Sequence, residues 1–231
     1  MPDARTITRS TFAADFVRAV RIHFEFPPHY LPACLSDDLP GVLARLPRAD
    51  ALLFSLGAGL TPFATAAYVR LLTATLRSPL GVRLSSLELR LSDAQCAQLG
   101  ALGAWACRLA TLTLFVDDCG EHASALDKLA LSVVLPARET LTALAVHFRV
   151  YGWQGARDSP KHEVRCGAFF AHLEGVHFPL LTDLRVATPF LDAKPRLEET
   201  ALLSIIRAHA LRTLDVSPTW LHLHILSLIH I

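Results

Sequence analysis

The sequence predicts an α/β solenoid of irregular 25–40-residue repeats, in which a curved parallel sheet carries helices on its convex side. Three observations lead to this prediction. The phrase Leu-x-x-Leu-x-Leu, or a close variant, returns along the whole chain. Its aliphatic positions alternate with polar or small residues, which is the period of a strand buried on one face. Helix-start patterns separate successive copies. A strand-sized unit recurring at such spacing is typical of stacked repeats, each burying its apolar edge against the next.

The copies of the phrase start at residues 17, 49, 84, 109, 141, 181 and 211, with intervals of 32, 35, 25, 32, 40 and 30 residues. Five copies are clear and two are degenerate. The clear copies are Leu84-x-x-Leu87-x-Leu89, Leu109-x-x-Leu112-x-Leu114, Leu141-x-x-Leu144-x-Val146, Leu181-x-x-Leu184-x-Val186 and Leu211-x-x-Leu214-x-Val216. The degenerate copies are Val17-x-x-Val20-x-Ile22 and Ala49-x-x-Leu52-x-Phe54. We expect each copy to form one strand, stacked on its neighbours in chain order.

Helix-start patterns lie between these strands. Thr61-Pro62 combines an N-cap residue with proline at the first helical position and predicts a helix to about Leu76. Ser92 and Gln95 have the spacing of a capping box. Two later starts are Ser159-Pro160, before Phe169, Phe170 and Leu173, and the acidic Glu198-Glu199-Thr200. A helix in each connection explains why the repeats exceed the minimal length of such units.

A doubly wound α/β domain also alternates strands with helices, and it is the alternative fold. The fixed phrase favours the solenoid, because buried strands of a doubly wound sheet usually form continuous Val/Ile runs. Only Gly57-Ala58-Gly59 follows a strand as a ligand-binding glycine loop would, and Pro62 occupies the place of the third glycine of a dinucleotide fingerprint. A small enzyme that binds a nucleotide at Gly57–Gly59 therefore remains the alternative.

The composition limits the classes of binding partner and the cellular compartment that we expect for this protein. The net charge of +1 provides no basic field, so we expect no nucleic-acid partner. Residues 1–10 are too polar for a signal peptide, and we expect no membrane partner. The five cysteines are odd in number and lack Cys-x-x-Cys spacing, which indicates reduced thiols. These features predict an intracellular protein, cytoplasmic or nuclear.

The chain is expected to contain one repeat domain, residues 1–225, truncated at one or both ends. Residues 226–231 (LSLIHI) can be encoded by a nucleotide string that resembles a sequencing-library adapter. Isoleucine is rare before them, and the absence of Asn together with the excess of Arg over Lys indicates a GC-rich gene. We therefore interpret this hexapeptide as a sequencing artefact and exclude it from the fold.

No catalytic motif stands out. The chain lacks Gly-x-Ser-x-Gly, His-Glu-x-x-His and the phosphate-binding Gly-x-x-x-x-Gly-Lys. The densest polar cluster, residues 117–122, directly follows a predicted strand and is interpreted as turn and capping residues rather than a metal site. We predict no catalytic residues, no cofactor and no metal, and hence no enzyme activity.

The strands themselves provide the better candidate site. Residues between the buried aliphatic positions must point to the opposite, concave face of the sheet. Their mixture of both charges with an aromatic side chain is suited to protein recognition. Ser55, Thr113 and Thr213 belong to this face. The residues predicted to contact a protein partner are Arg21, His23, Glu88, Arg90, Phe115, His147, Arg149, Asp183, Arg185 and Asp215.

The strand-helix units resemble the leucine-rich-repeat family, especially the irregular repeats of fungal-type F-box/leucine-rich-repeat proteins. The resemblance covers roughly residues 12–217, and Phe178-Pro-Leu-Leu-Thr-Asp-Leu-Arg-Val186 with Leu211-Arg-Thr-Leu-Asp-Val216 carries it best. The asparagine common in many repeat classes is absent. The resemblance implies a non-enzymatic scaffold whose repeats recruit substrate for a ubiquitin ligase, with an adaptor bound through an F-box outside this chain. A nonfunctional fragment is a further alternative.

Overall fold

The computed structural model describes residues 17–24, 41–43, 45–56, 62–92, 95–96, 108–117, 125–149, 169–187, 204–207 and 209–217. Within these ranges, seven strands form one all-parallel sheet whose strand order is the chain order. The strands are β1 (Ala19–Phe24), β2 (Ala51–Leu56), β3 (Ser86–Ser92), β4 (Thr111–Asp117), β5 (Ala143–Arg149), β6 (Asp183–Ala187) and β7 (Thr213–Ser217). The predicted α/β class is confirmed.

The register places equivalent positions of the phrase opposite one another on all seven strands. One line joins the second aliphatic positions, which are half-buried at the two ends of the sheet and buried between them: Val20, Leu52, Leu87, Leu112, Leu144, Leu184 and Leu214. The next joins the third positions, Ile22, Phe54, Leu89, Leu114, Val146, Val186 and Val216. Because side chains alternate with period two, a slip of one residue would expose both lines, so the phrase itself specifies the register.

A repeating backbone pattern joins the strands just before each one begins. The carbonyl of the residue after the first aliphatic position accepts two N–H groups from the next repeat, as Thr142 does from Thr182 (2.9 Å) and Asp183 (3.0 Å). At three repeats a hydroxyl adds a bond to the same kind of carbonyl. Ser85 Oγ donates to Asp50 at 3.2 Å and Thr142 Oγ1 donates to Ala110 at 2.9 Å. Thr182 Oγ1 lies 3.3 Å from the Thr142 carbonyl and shares its single proton between that oxygen and the closer Asp183 Oδ2. These bonds satisfy polar groups that the parallel ladder alone leaves unpaired.

The connection from β2 to β3 holds two helices, α1 (Pro62–Arg77) and α2 (Pro79–Arg83). The helix predicted from Thr61-Pro62 is confirmed, but the second helix was not predicted. The break occurs at Ser78, because the residue before Pro79 is driven out of the helical region and adopts φ −72° and ψ 168°. Ser78 then caps α2, since its Oγ accepts from the N–H of Leu80 at 3.2 Å.

In the connection from β4 to β5, residues 125–137 form one helical segment of changing pitch. It begins as α3 (Ala125–Leu129), widens to a π-helical turn (Ala130–Val134) and tightens to a 3-10 turn (Leu135–Ala137). Pro136 explains the change, because it has no N–H to donate and its ring would clash with the carbonyl four residues earlier in an α-helix. The N–H of Leu135 instead reaches Ala130.

Helical residues are also described in other connections. At residues 95–96, the Gln95 side chain accepts a hydrogen bond from the N–H of Ser92 at 2.7 Å, as the predicted capping box requires. Residues 169–171 and 204–207 are also helical. The helix starts predicted at Ser159-Pro160 and at 198–200 lie outside the described residues.

One hydrophobic core lies between the sheet and its connections. The buried aliphatic residues of the strands and the buried residues of the helical segments belong to a single cluster. Phe148 of β5 contacts Phe169 and Phe170 of the next connection edge-on, at centroid distances of 5.9 and 6.2 Å. The helical segments therefore cover the sheet face that carries the aliphatic lines, and the opposite face carries the alternate residues.

Candidate functional site

The candidate site is the sheet face that carries the alternate residues, which we call the strand face. The register divides it into four rows. The small row is Ala19, Ala51, Ser86, Thr111, Ala143, Asp183 and Thr213. The mixed-charge row is Arg21, Leu53, Glu88, Thr113, Ala145, Arg185 and Asp215. The aromatic row is His23, Ser55, Arg90, Phe115, His147, Ala187 and Ser217. The end row is Ser92, Asp117 and Arg149.

The ten residues predicted to contact a partner fall mainly in two of these rows. The mixed-charge row holds Arg21, Glu88, Arg185 and Asp215. The aromatic row holds His23, Arg90, Phe115 and His147. Asp183 lies in the small row and Arg149 in the end row. The structure thus separates residues that the sequence prediction had treated as one surface.

Exposure differs among these ten side chains. Arg21, Arg185 and Asp215 are exposed. The half-buried ones are Glu88, Arg90, Phe115, His147 and Asp183. For His23 and Arg149 the structure describes only the positions on their strands. Exposed or half-buried side chains on one open face can all reach a docked partner.

One predicted surface residue is not on the surface. Ser55, expected to point outward with the others, is only 5% exposed. It lies in register with Arg90, and a hydroxymethyl group is too short to rise above the longer side chain beside it. Ser55 therefore lies in the row where the alternation placed it, but its side chain is buried rather than exposed.

The centre of the aromatic row is a stacked pair. The rings of Phe115 and His147 lie 4.6 Å apart between centroids, at an interplanar angle of 14°. This distance matches the spacing of adjacent strands, so the two rings stand side by side on β4 and β5. Both rings are half-buried. The pair is a preformed, partly apolar platform on an otherwise polar face.

Asp183 has a different environment from the other acidic residues of the strand face. Hydrogen bonds from Thr213 and Thr182 lower the pKa of its carboxyl group, and the positive charges of Arg185 and Arg212 lower it further. The Thr182 Oγ1 donates to Asp183 Oδ2 at 2.7 Å. Because the hydrogen bond from Thr213 joins the start of β6 to β7, Asp183 contributes to the fold as well as to the surface.

Sequence reasoning missed several members of the strand face. Leu53 and Ala145 complete the mixed-charge row, where both are half-buried. Asp117 is in register with Arg149, although it was interpreted as a turn residue beyond the strand. Extending the alternation of side-chain direction along β4 through residues 113, 115 and 117 would have placed Asp117 on the strand face.

Other predicted or alternative sites give no competing geometry within the described ranges. Among those residues there is no group of three or more His, Cys, Asp or Glu side chains placed to hold a metal ion. The Gly57-Ala58-Gly59 turn lies outside them. A doubly wound sheet reverses its strand order at a switch point, and the seven described strands run without a reversal.

The helices of the described segments are too short or too polar to cross a membrane.

The chain matches no protein-family model, no curated protein and no solved structure. A functional conclusion therefore depends on the geometry of the strand face and on the phrase that builds it.

Proposed function

We propose that this protein is a leucine-rich-repeat solenoid that binds another protein through its strand face and performs no catalysis. The observation that carries the proposal is the register, because seven copies of one phrase align position by position in chain order. In repeat proteins, small rotations between such units accumulate into a curved sheet whose strand face is an extended binding surface.

The character of the strand face supports a protein as the partner. Small-molecule sites are clefts lined mostly by apolar side chains, whereas the strand face extends over seven neighbouring strands and carries charged side chains. Positive and negative side chains alternate along the mixed-charge row, with Arg21 and Glu88 on one half and Arg185 and Asp215 on the other. Such alternation suits a protein surface of complementary pattern and provides specificity.

Photo-cross-linking from the strand face tests this proposal. A photoreactive residue replaces Thr113, which is half-exposed at the centre of the mixed-charge row. The control replaces Arg138, which is exposed in the turn after the helical segment of the β4–β5 connection. In the native cells we expect one discrete adduct from position 113 that disappears in a Glu88→Lys variant. Adducts only from position 138, or none from either, would contradict the proposal.

The resemblance to F-box/leucine-rich-repeat proteins supports a narrower version, in which the partner is a substrate of a ubiquitin ligase. In that family the adaptor is bound by an F-box, so the complete gene product must carry this segment. The test is capture of the adaptor by the full gene product, with deletion of the F-box as the control. Failure of the full product to bind the adaptor would remove the ligase role and leave protein binding by the strand face untouched.

A further inference from the structure

Four exposed arginines surround the turn that leads into β2. Arg45 and Arg48 belong to this turn. Arg18 comes from the repeat on the β1 side, and its Nη1 lies 3.5 Å from the carbonyl oxygen of Arg48. Arg83 comes from the repeat on the β3 side, and its Nη2 donates to the carbonyl oxygen of Leu46 at 2.9 Å. We call these four residues, Arg18, Arg45, Arg48 and Arg83, the arginine cluster.

The backbone of the turn brings the cluster together. The carbonyl of Leu46 also accepts the N–H of Ala49 at 3.3 Å, which closes the turn. The carbonyls of Leu46 and Arg48 are two residues apart in the chain, so about 7 Å at most separates them. The guanidinium groups of Arg18 and Arg83 therefore lie on one small area of the surface. Each has five N–H donors, and in the described structure each directs one of them at the turn.

The positive charge of the arginine cluster has no counterpart among the described residues. Arg138, in the turn before β5, pairs with Glu139 at 3.0 Å, whereas no described carboxylate lies within ion-pair distance of a cluster arginine. Asp50, the acidic residue nearest in the sequence, is half-buried and forms no such pair. Four positive charges against this single negative charge leave an excess of three. The nearest row of the strand face adds no acid on β1 to β4, where it consists of Ala19, Ala51, Ser86 and Thr111.

A phosphate monoester fits this excess of positive charge better than a carboxylate does. It carries a charge of about −1.5 to −2 at neutral pH and has three strong acceptor oxygens. A carboxylate has one charge and two oxygens. The planar fork of arginine donates two parallel hydrogen bonds to either group. Because several guanidinium groups reach one area, the anion that can engage more than one of them at once is favoured.

The surroundings of the cluster indicate what carries the monoester. Small-molecule sites bury most of their ligand, whereas these four side chains are exposed. Nucleic acids and anionic membranes present extended arrays of charge and require a long basic surface. Arginine directly before the first aliphatic position ends at Arg108, because the three later repeats have Thr140, Leu180 and Ala210 there. A single phosphorylated side chain on a protein needs no such extension.

We propose that the arginine cluster is a second binding site of this protein and that it holds a phosphorylated side chain of a protein partner. The phosphate oxygens accept hydrogen bonds from two or more of the guanidinium groups, the arrangement by which clustered arginines recognise phosphorylated segments. The cluster lies at the amino-terminal ends of the strands and is separate from the strand face. The inference therefore adds a site to the protein binding proposed above and names the chemistry of its ligand.

The test begins with peptides that have a central phosphoserine and random flanks, selected on the full chain. The best peptide is synthesised with phosphoserine, serine or glutamate at its centre and titrated by fluorescence anisotropy. We expect the phosphoserine form to bind most tightly. Its affinity should fall about tenfold or more in Arg45→Gln and in Arg48→Gln. It should stay unchanged in Arg138→Gln, where Glu139 already balances the charge, and in Phe115→Ala on the strand face.

Two of the variants keep the test independent of folding. The guanidinium groups of Arg45 and Arg48 donate no hydrogen bond within the described structure, so we expect both variants to unfold at the wild-type temperature. Arg83→Gln removes the bond to Leu46, and Arg83→Lys keeps the charge without the planar fork. Thermal unfolding shows whether these two remain folded. If they do, Arg83→Lys should also bind the phosphopeptide more weakly than the wild type.

Other outcomes would overturn the inference. They are equal affinity for the phosphoserine and glutamate forms, an equal loss in Arg138→Gln, and the absence of any selected peptide. Displacement of the phosphopeptide by an equal concentration of inorganic phosphate, of single-stranded RNA or of phosphatidylinositol-phosphate vesicles would assign the cluster to that ligand instead. A discrete adduct from position 113 without phosphopeptide binding would overturn this second site and keep protein binding by the strand face.

Discussion

His209 Nε2 accepts a hydrogen bond from the backbone N–H of Phe178 at 2.9 Å. The ring therefore carries its proton on Nδ1, which donates to the carbonyl of Ile205 at 2.7 Å. Both nitrogens of one imidazole thus join the helical turn 204–207 to the loop before β6. The ring also stacks on His177, with centroids 5.8 Å apart and an interplanar angle of 18°.

Replacing His209 should weaken the C-terminal part of the sheet. In His209→Ala the N–H of Phe178, a residue only 1% exposed, loses its acceptor. A buried donor left unsatisfied costs about 1–3 kcal/mol, so we expect a loss of free energy of unfolding in that range. His177→Ala removes the stacked ring but keeps both bonds and should cost less. Urea unfolding measures both variants, and an equal loss in the two would show that stacking rather than hydrogen bonding stabilises this contact.

Gly81 is required by a close approach between α1 and α2. A Cβ added at this position would lie 1.8 Å from the carbonyl oxygen of Leu76, which is backbone and cannot rotate away. Gly81→Ala should therefore destabilise the protein by about 1–3 kcal/mol or more, as overpacking does. Gly41→Ala is the control, because an added Cβ there meets nothing within 4 Å. Thermal unfolding of the two variants decides the point, and a stable Gly81→Ala would refute the close approach.

The sheet could be predicted from the sequence because its cause is local and repeated. Each strand carries its own alternation, and equivalent positions such as Leu87 and Leu112 must align to bury the same face. The connections were less predictable, since they depend on contacts between elements. The helix break at Ser78 follows a readable Ser-Pro signal, but nothing in the sequence indicates the contact of Gly81 with Leu76.

The sequence predicts which residues lie on the strand face, but it does not predict how their side chains pack against one another. The alternation of side chains assigned Phe115 and His147 to one face. Their stacking, however, depends on which strands are neighbours in the sheet and on the register between those strands. Ser55 shows the opposite case, where alternation gives the direction of a side chain but not whether taller neighbours bury it. Side-chain length and register together decide exposure, and the sequence pattern alone supplies only the first.

Thr75 carries a hydroxyl that the described structure leaves without a hydrogen-bond partner. Its side chain is 0% exposed and its Oγ1 is unpaired. Thr75→Val removes the unsatisfied group while nearly keeping the shape, so we expect stabilisation of about 1 kcal/mol. Thr140→Val is the matched control, because Thr140 Oγ1 donates to Leu109 at 2.8 Å and its loss should destabilise. Chemical denaturation checks both signs, and a destabilising Thr75→Val would mean that the hydroxyl has a partner.

Asp183 makes the stability depend on pH in a defined direction. Its pKa is lowered in the folded protein, first by the hydrogen bond from Thr213. A carboxyl group with a lowered pKa stabilises the fold above its unfolded value, 3.8, and this contribution disappears as the pH falls through the folded value. Asp183→Asn should therefore be less stable than the wild type at pH 7, and the difference should shrink towards pH 3.

Urea midpoints at the two pH values measure this difference. Asp215→Asn is the control for loss of one negative charge, because Asp215 is exposed and lies one strand away, in register with Arg185. We expect its midpoint to differ little from the wild type at either pH. A difference in urea midpoint between Asp183→Asn and the wild type that stays constant from pH 7 to pH 3 would contradict the prediction. It would show that the hydrogen bonds stabilise the charged and the protonated carboxyl group equally.

Leu112 and Leu214 occupy the same position of the phrase but differ in burial. Leu112 is 0% exposed, between Leu87 and Leu144 in register, whereas Leu214 on β7 is half-buried and has only Leu184 beside it among the described strands. Leu112→Ala should cost about 2–5 kcal/mol as a large-to-small change in the core, and Leu214→Ala clearly less. The same difference predicts faster amide exchange for residues 211–216 than for residues 109–114. Equal protection of the two segments from amide exchange would mean that β7 is packed as firmly as β4. Leu214→Ala would then be expected to cost as much free energy of unfolding as Leu112→Ala, contrary to the prediction.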